Sequence, residues 1–355
     1  MAKLGEVCTI VSGSTPKTSV TSYWDGNIKW ITPAELNEDT FYIMDSVRHI
    51  TEEGKEKTGL SYLPTGTVIL SSRAPIGKTA IAGCEMCCNQ GFKNLICSDA
   101  IYNEYLYFFL KSKTDYLNSL GRGATFKEIS KSIVESIEIP LPEVNQQKEI
   151  AEKFKKLEQL ISLRKQQLAK LDELVKARFV EMFGNKDYPR MKWNNVFNTT
   201  TGKLDSNAAV DNGKYPFFTC SKEPLKIDSY AFDQTALLLA GNNAAGKYDV
   251  KYYQGKFNAY QRTYVLSLKH NWSYKLFQYQ LEDKLLYLQT KSLGGLTKYL
   301  TLKILGELDF IVPPLALQNE FATFVARIDQ QKQTVQQSLE KLELMRKALM
   351  QEYFG

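Results

Sequence analysis

A long internal repeat is the most informative feature of the chain. Residues 142–184 read PEVNQQKEIAEKFKKLEQLISLRKQQLAKLDELVKARFVEMFG, and residues 313–355 read PPLALQNEFATFVARIDQQKQTVQQSLEKLELMRKALMQEYFG. Aligned without a gap at an offset of 171 positions, the two segments share 14 identical residues in 43. Such self-similarity indicates that one structural unit occurs twice in the chain.

Each copy is predicted to form one long helix. Prolines stand at the start of both copies and none lies further inside, while Gly184 ends the first copy as a helix stop. Apolar residues recur at alternating spacings of three and four, which is the pattern of a heptad seam. The seam residues are Ile150, Phe154, Leu157, Ile161, Leu168, Leu171, Val175 and Met182, then Phe321, Val325, Ile328, Val335, Leu339, Leu342, Leu349 and Tyr353.

The two seams are interrupted at complementary places. Arg164 and Arg178 interrupt the first copy, and Lys332 and Arg346 interrupt the second, each where the other copy has an apolar residue. A helix of about 40 residues is about 60 Å long, which exceeds a small core. We therefore predict a packed helix pair; the alternative is two unrelated amphipathic helices in separate cores.

The segments ahead of the helices repeat more weakly. VILSSRAPIGK at 68–78 aligns with LLLAGNNAAGK at 237–247 at an offset of 169, and 137–139 aligns with 308–310 at 171. Each copy therefore contains a globular segment of about 130–140 residues followed by a helix. The predicted domains are 1–142 (globular domain 1), 143–184 (central helix), 185–313 (globular domain 2, with 185–190 as linker) and 314–355 (distal helix).

The composition favours a soluble globular protein. Among 355 residues, 45 Lys and Arg stand against 39 Asp and Glu, a net charge of +6, and 43% of residues are hydrophobic. No apolar run approaches the roughly 20 residues of a membrane helix and the start lacks a signal-peptide core, so we expect a cytoplasmic protein without a membrane partner. The six cysteines, three of them within 84–88, lack zinc-site spacing and are expected to be buried thiols rather than metal ligands.

Two similar modules joined by stiff helices make a pseudo-symmetric molecule. Duplex DNA has matching symmetry, because half-sites on one face recur about every 34 Å. Unequal modules would read unequal halves of an asymmetric site. The repeat alone equally suits a twin-module structural adaptor that binds proteins rather than DNA.

A series of short strings recurs in order along both halves. The first half carries GSTP at 13–16, YWDGNIKWI at 23–31, LSSRAPIGK at 70–78 and NQGFK at 89–93. The second half carries GKLD at 202–205, YPFFTCS at 215–221 and GKFNAYQR at 255–262, and both helices begin with Pro-x4-Gln-x-Glu. Together these strings resemble the specificity subunit of type I restriction-modification enzymes over essentially the full length.

The resemblance implies an α+β fold with two pseudo-symmetric target-recognition domains and two long helices packed as an antiparallel coiled coil. Each domain would read one half of a bipartite, asymmetric site in double-stranded DNA. The helices would set the half-site spacing and dock two methyltransferase (M) subunits, and restriction (R) subunits would complete the complex. Adenine methylation and ATP-dependent cleavage would belong to these partners, so the chain is expected to be non-catalytic and to use no cofactor.

One short segment partly matches the pattern of a nucleotide-binding loop. Residues 72–79 end in Gly-Lys-Thr like a phosphate-binding loop, but Ser72 replaces its first glycine and Pro75 removes a backbone N–H that the loop needs. No Asn-Pro-Pro-Phe/Tyr or Asp-Pro-Pro-Tyr methyltransferase string occurs, and the two histidines are isolated. A free-standing methyltransferase or nuclease is therefore disfavoured, and we predict no catalytic residues.

Loops that combine basic and amide side chains are the candidate DNA contacts. Arg and Lys pair with guanine edges and Asn and Gln with adenine, while glycine-rich loops let the backbone approach phosphate. The candidate DNA-binding residues are Arg73, Lys78, Asn89, Gln90, Lys93, Arg122, Thr125, Lys127, Asn242, Asn243, Lys247, Tyr260, Gln261, Arg262, Thr297 and Lys298. Apolar residues outside the seams predict a partner surface on the helices. These residues are Leu160, Leu163, Leu174, Phe179, Phe324, Leu344 and Met345.

Overall fold

The computed structural model describes residues 1–37, 39–73, 75–122, 127–184, 186–244 and 246–355. These residues divide into two compact units. Unit 1 comprises Met1–Lys165 and Gln337–Gly355, and unit 2 comprises Gln166–Gln336. Thr125, one of the candidate DNA contacts, lies outside the described residues.

Unit 1 is a mixed α and β unit. Its strands are β1 (Ala2–Lys3), β2 (Cys8–Ser12), β3 (Trp24–Ile31), β4 (Tyr42–Ile43), β5 (Arg48–Ile50), β6 (Val68–Ser71), β7 (Thr79–Ala82), β8 (Cys87–Cys88), β9 (Phe92–Cys97) and β10 (Glu138–Ile139). Its helices are α1 (Leu4–Val7), α2 (Glu52–Thr58), α3 (Asn103–Ser112), α4 (Thr114–Leu120), α5 (Lys131–Ser136), the first part of α6 (Val144–Phe179) and the last part of α11 (Leu315–Phe354). The strands form a five-stranded sheet in the order β2-β9-β6-β7-β4, a three-stranded sheet β5-β3-β8 and the pair β1-β10.

Unit 2 has a larger main sheet. Its strands are β11 (Arg190–Lys192), β12 (Phe197–Thr201), β13 (Tyr215–Phe218), β14 (Leu225–Ile227), β15 (Phe232–Ala240), β16 (Asn242–Asn243), β17 (Val250–Ala259), β18 (Thr263–Leu268), β19 (Lys298–Tyr299) and β20 (Asp309–Ile311). Its own helices are α7 (Trp193–Val196), α8 (Tyr274–Asp283), α9 (Leu285–Lys291) and α10 (Leu302–Gly306). The sheet order is β12-β18-β15-β17-β13-β14, beside the pairs β16-β19 and β11-β20.

The weak sequence repeat corresponds to a repeated order of elements. The globular part of each unit begins with a short strand, a one-turn helix and a sheet strand: β1, α1 and β2 in unit 1, and β11, α7 and β12 in unit 2. Each globular part closes with a strand that pairs antiparallel to the first, β10 with β1 and β20 with β11. The alignment of 137–139 with 308–310 therefore reflects a shared closing strand.

A glycine follows the first sheet strand of each unit because another chain segment passes against it. A Cβ atom on Gly13 would lie 2.0 Å from the carbonyl oxygen of Asn89. A Cβ atom on Gly202 would lie 1.7 Å from the carbonyl oxygen of Ala259. Both distances exclude any side chain, which explains why the strings at 13–16 and 202–205 begin with glycine.

The two predicted long helices are present. Helix α6 covers Val144–Phe179 and continues into a π-helical turn at Val180–Gly184, and α11 covers Leu315–Phe354. Most seam residues are buried, including Phe154, Ile161 and Phe321. Burying this apolar stripe is what stabilises helices of such length, because intrinsic helix propensity alone contributes little.

Parts of the two helices contact each other inside each unit. In unit 1, the Phe154 and Phe354 rings stack with centroids 5.6 Å apart, and Arg346 lies 3.4 Å from Glu158. In unit 2, Arg178 Nη2 donates to Glu320 Oε1 at 2.7 Å. The helical segments of a given unit are therefore packed together rather than lying in separate cores.

Equivalent phenylalanines complete the core at the end of each helix. In unit 1, buried Phe354 lies 5.2 Å from the ring of Tyr105 and fills a hole between α3 and the start of α6. In unit 2, buried Phe183 joins Leu276 and Phe321 in one apolar cluster. The Phe-Gly ending shared by both repeats thus has the same packing role twice.

Candidate nucleic-acid interface

Two basic candidates of unit 1 converge on one carboxylate. Arg73 Nε donates to Glu128 Oε2 at 3.0 Å, and Lys93 Nζ donates to Glu128 Oε1 at 3.2 Å. The Lys93 side chain is 8% exposed, whereas the Arg73 side chain is 44% exposed. Lys93 therefore neutralises a partly buried carboxylate, while Arg73 remains at the surface.

Backbone hydrogen bonds hold the segments of this cluster together. Ser72 N–H donates to the Gly91 carbonyl at 2.7 Å, and Ile129 N–H donates to the Ser72 carbonyl at 2.9 Å. Arg122 and Glu128 exchange two backbone bonds of 3.0 and 2.9 Å. The chain thus gathers three segments far apart in sequence, and the side chains of Arg122 and Lys127 remain exposed beside them.

Three further candidates of unit 1 have partners within the unit. Lys78 Nζ donates to two backbone carbonyls of the turn 33–36, at 2.6 and 3.1 Å. Asn89 Oδ1 accepts a bond from the backbone two residues on, at 2.8 Å, and Gln90 accepts from the Thr15 hydroxyl. Lys78 thus braces a turn, in contrast to the lysine of a phosphate-binding loop.

Four candidates of unit 2 line a cavity of about 320 Å³. Asn242, Asn243, Tyr260 and Thr297 line it. The remaining lining residues are Ser206, Thr219, Cys220, Ser221, Leu225 and Ala244. Amides and hydroxyls predominate, so the cavity offers hydrogen-bond donors and acceptors without a formal charge.

Strand pairing and side-chain bonds place the other candidates of unit 2 near this cavity. Asn243 lies opposite Lys298 in the β16-β19 pair, and Asn243 Oδ1 accepts from Lys247 N–H at 3.3 Å. Gln261 Nε2 donates to Asp205 Oδ2 at 3.1 Å. The exposed candidates of unit 2 are Lys247, Gln261, Arg262 and Thr297.

The two candidate surfaces differ in chemistry although their positions align. Arg73 corresponds to Asn242 and Lys93 to Arg262 in the repeat alignment. Lys93 is buried against a carboxylate, whereas Arg262 is exposed. Unit 1 therefore presents a charged cluster and unit 2 an amide-rich cavity.

Some residues of these clusters were not among the sequence candidates. Glu128, the acceptor that joins Arg73 to Lys93, directly follows the basic loop 121–127, so an acid next to a basic loop is the signal that could have identified it. Nothing in the local sequence of Ser206 or residues 219–221 indicates a contact site. They reach the cavity only through the folding of the sheet.

The residues of the predicted partner surface differ in exposure. Five members are between 46% and 65% exposed: Leu160, Leu163, Leu174, Leu344 and Met345. Phe179 and Phe324 are partly buried instead, because unit 2 covers them. The Phe179 ring packs 4.8 Å from Tyr279 and 5.6 Å from Phe321, so these two phenylalanines serve the core of the chain itself.

The adjacent cysteines Cys87 and Cys88 point into different apolar clusters. They are 0% and 1% exposed, and successive residues of a strand face opposite sides of its sheet. Burial raises the pKa of Cys87 to about 11 and that of Cys88 to about 12. Because the two side chains lie in different apolar clusters, they cannot ligate one metal ion together. This geometry favours buried, neutral thiols.

Comparison with known proteins identifies the family. The model of the type I restriction modification DNA specificity domain matches residues 1–173 and again residues 185–344. The chain belongs to this family and contains two copies of its domain. No helix among the described residues is both long and apolar enough to cross a membrane.

Similar curated proteins are named as specificity subunits of type I restriction enzymes. The type I restriction enzyme MjaIX specificity subunit of Methanocaldococcus jannaschii is 39% identical over 186 residues, which cover 52% of this chain and 42% of that protein. The EcoDI specificity subunit of Escherichia coli is 33% identical over 171 residues, covering 46% of this chain and 37% of that protein. The matches thus span less than half the length of these relatives.

Solved structures show the same fold at low sequence identity. A type I restriction-modification S subunit from M. genitalium superposes with a TM-score of 0.60 at 19% identity, covering 99% of this chain and 95% of that one. A chain from a study of complex assembly in the type I R-M system gives 0.59 at 15% identity, covering 99% and 96%. The mixed helix and sheet architecture with a long helix therefore recurs in S subunits.

Proposed function

We propose that this chain is the DNA sequence-specificity subunit of a type I restriction-modification complex. Each recognition domain, 1–142 and 185–313, binds one half of a bipartite, asymmetric site in double-stranded DNA. The observation that carries the proposal is the convergence of candidate side chains at one place in each unit, although they come from distant segments. Membership of the specificity-domain family supports it.

The chemistry of the two surfaces suits different half-sites. Guanidinium groups in unit 1 match guanine O6 and N7, and the amides of unit 2 match adenine N6 and N7. Exposed cations such as Arg122, Lys127 and Lys247 are placed to contact phosphates, which orient the protein without reading sequence. Unequal side-chain chemistry in the two units is the physical basis for an asymmetric site.

The helices 143–184 and 314–355 are proposed to form one antiparallel coiled coil that sets the distance between half-sites. The contacts inside each unit support it. In unit 1, Glu158 of α6 contacts Arg346 of α11. In unit 2, Asp172 contacts Lys332 and Arg178 contacts Glu320. Residue numbers along α6 therefore rise as those of the contacting residues on α11 fall, as expected for antiparallel helices. A rigid helical spacer converts its length directly into base-pair separation.

The exposed leucines of the helices are proposed to dock two methyltransferase subunits, with restriction subunits completing the complex. Exposed apolar side chains on one face of a helix can anchor that face in an apolar groove of a partner. Adenine methylation and ATP-dependent cleavage are assigned to those partners. This chain is proposed to contribute binding only, without a cofactor.

The decisive experiment measures duplex binding by the full chain assembled with its cognate methyltransferase subunits. We expect the affinity to fall linearly on a log–log plot of salt concentration, with a slope of about −0.9 per phosphate contacted. Arg122→Ala and Lys127→Ala should each make that slope shallower by about one contact.

Lys131→Ala is the matched control, because this exposed lysine pairs with Glu135, an acid outside the cluster, at 3.7 Å. It should leave the slope unchanged. Salt-independent binding, or no duplex binding while the chain still assembles with proteins, would favour the twin-module adaptor instead.

A further inference from the structure

The Arg73–Glu128 contact uses only one nitrogen of the guanidinium. Glu128 Oε2 accepts from Nε at 3.0 Å. Within the part of the chain that the structure describes, no hydrogen-bond acceptor meets either terminal nitrogen of Arg73. Those two nitrogens are the pair that a guanidinium needs to bond O6 and N7 of one guanine simultaneously.

Glu128 is itself fixed in place. Its other oxygen accepts from Lys93, whose side chain is almost fully buried, and its backbone is paired with Arg122 on both sides. Partial burial alone would raise the pKa of Glu128, but the bonds from Lys93 and Arg73 outweigh it and hold that pKa below its ordinary value. The carboxylate is therefore ionised at neutral pH and stays on a rigid support.

Holding the Nε atom restricts a side chain that otherwise has many rotamers. Ordering a free arginine costs conformational entropy each time it binds a base, and a fixed acceptor removes part of that cost in advance. A charge-assisted bond to a carboxylate also constrains the plane of the guanidinium. A surface arginine held in this way is suited to direct readout rather than to loose phosphate contact.

We propose that Glu128, anchored by Lys93, is a positioning residue that presents Arg73 to a single guanine in the half-site bound by unit 1. The proposal rests on the DNA-specificity function argued above and adds which residue reads which base. Arg73 contacts the base edge, and Glu128 acts only through it.

Unit 2 lacks the equivalent of this triad. The positions that align with Arg73 and Glu128 are Asn242 and Tyr299, neither of which is charged. These two residues face each other in the β16-β19 pair. The arginine–guanine contact therefore belongs to one half-site only. Base preferences in the other half-site should be unaffected by the variants, so they provide an internal control.

The test selects binding sites from a random duplex library with the full chain and its cognate methyltransferase subunits. The wild-type chain first defines both half-sites. Arg73→Ala removes the guanidinium, so preference for guanine at one position should fall by roughly 5- to 150-fold. Glu128→Gln should weaken preference at that same position. Replacing the guanine there by 7-deazaguanine, which lacks the N7 acceptor, should weaken binding by the wild-type chain and leave binding by Arg73→Ala unchanged.

Several outcomes would overturn the proposal. An unchanged guanine preference in Arg73→Ala, or a Glu128→Gln effect at a different position, would show that the triad is purely structural. Higher overall DNA affinity in Glu128→Gln with unchanged preferences would make Glu128 a mere neutralising charge. Lys131→Ala should leave the selected site intact.

Two further safeguards keep the test interpretable. Arg73→Ala leaves the Lys93–Glu128 pair in place, so it remains informative even if Glu128→Gln loses stability. Failure of the wild-type chain to select any sequence would refute the DNA-specificity function itself, whereas a defined site with unaltered guanine preference would refute only the role of Arg73 and Glu128.

Discussion

Two buried glutamines join the long helices to their domains in the same way. Gln147 accepts from Tyr102 N–H at 2.8 Å and donates to the carbonyls of Ala100 at 3.0 Å and Pro142 at 2.8 Å. Gln318 accepts from Ser273 N–H at 3.0 Å and donates to a proline carbonyl at 2.8 Å. The Pro-x4-Gln pattern is thus a hydrogen-bonded clamp between the start of a long helix and the residue that precedes α3 in unit 1 or α8 in unit 2.

Gln147→Leu should destabilise unit 1 substantially. The substitution leaves the Tyr102 N–H and two carbonyls without their partner in a buried place, and each unsatisfied buried group costs about 1–3 kcal/mol. We expect the free energy of unfolding to fall by about 2 kcal/mol or more, measured by denaturant titration.

Gln159→Leu provides the control, because the same substitution falls on an exposed position of the same helix. Its effect should stay within about 0.5 kcal/mol. Equal losses in the two variants would contradict the clamp.

Charged residues that interrupt the helical seam are paired in the structure. Arg178 bonds Glu181 and Glu320, Lys332 bonds Asp172, and Arg346 approaches Glu158. Because each pair is at least partly exposed, its net stabilisation is small. Such pairs instead favour one register of the two helices over shifted ones.

Lengthening both helices together should lengthen the spacer of the recognised site. Seven residues inserted after Lys165 and seven after Gln336 would add about 10.5 Å to each helix, which is about three base pairs of DNA. We expect the methylated motif to keep both halves and to gain about three bases between them, as read by methylome sequencing.

Seven residues inserted into only one of the helices are the control for this prediction. That variant shifts the seam and its ion pairs out of register, so it should assemble poorly. A double insertion that assembles and methylates with the original spacing would disprove the role of the helices as a spacer.

The molecule as a whole is a duplication with divergent surfaces. Both units share the opening β-α-β elements and the closing strand, yet unit 1 has a five-stranded main sheet and unit 2 a six-stranded one. The framework shared by the two units carries the long helices, and the candidate contacts lie on strands and loops whose side chains differ between the units. A protein built in this way can change one half of its target independently of the other.

Replacing residues 191–311 with the matching domain of a relative should therefore change one half of the methylated motif and leave the other intact. Methylation mapping of a host that carries the chimera provides the measurement. Restoring the original segment should restore the original motif. Altered bases in both halves would contradict independent reading by the two domains.

The long helices were predictable and the contact clusters were not, for a physical reason. Helix α6 follows from periodicity within one segment, where Phe154, Leu157 and Ile161 lie on one face by local geometry. The Arg73–Glu128–Lys93 cluster joins positions 35 and 55 residues apart through loops, and no local rule fixes such a pairing. Phe179 and Phe324 are partly buried within unit 2. Their burial depends on tertiary packing, so the local sequence could not predict it.

The paired roles of Phe354 and Phe183 bear on how such a molecule could have arisen. An ancestral polypeptide containing only residues 1–184 would lack Phe354, and the hole beside Tyr105 and Phe154 would stand open. Its own Phe183, at the same place in the repeat, has the shape to fill that hole in another copy. Two such ancestors would complete each other as a homodimer and recognise a palindrome, and fusion of the two genes would free each half to evolve its own preference.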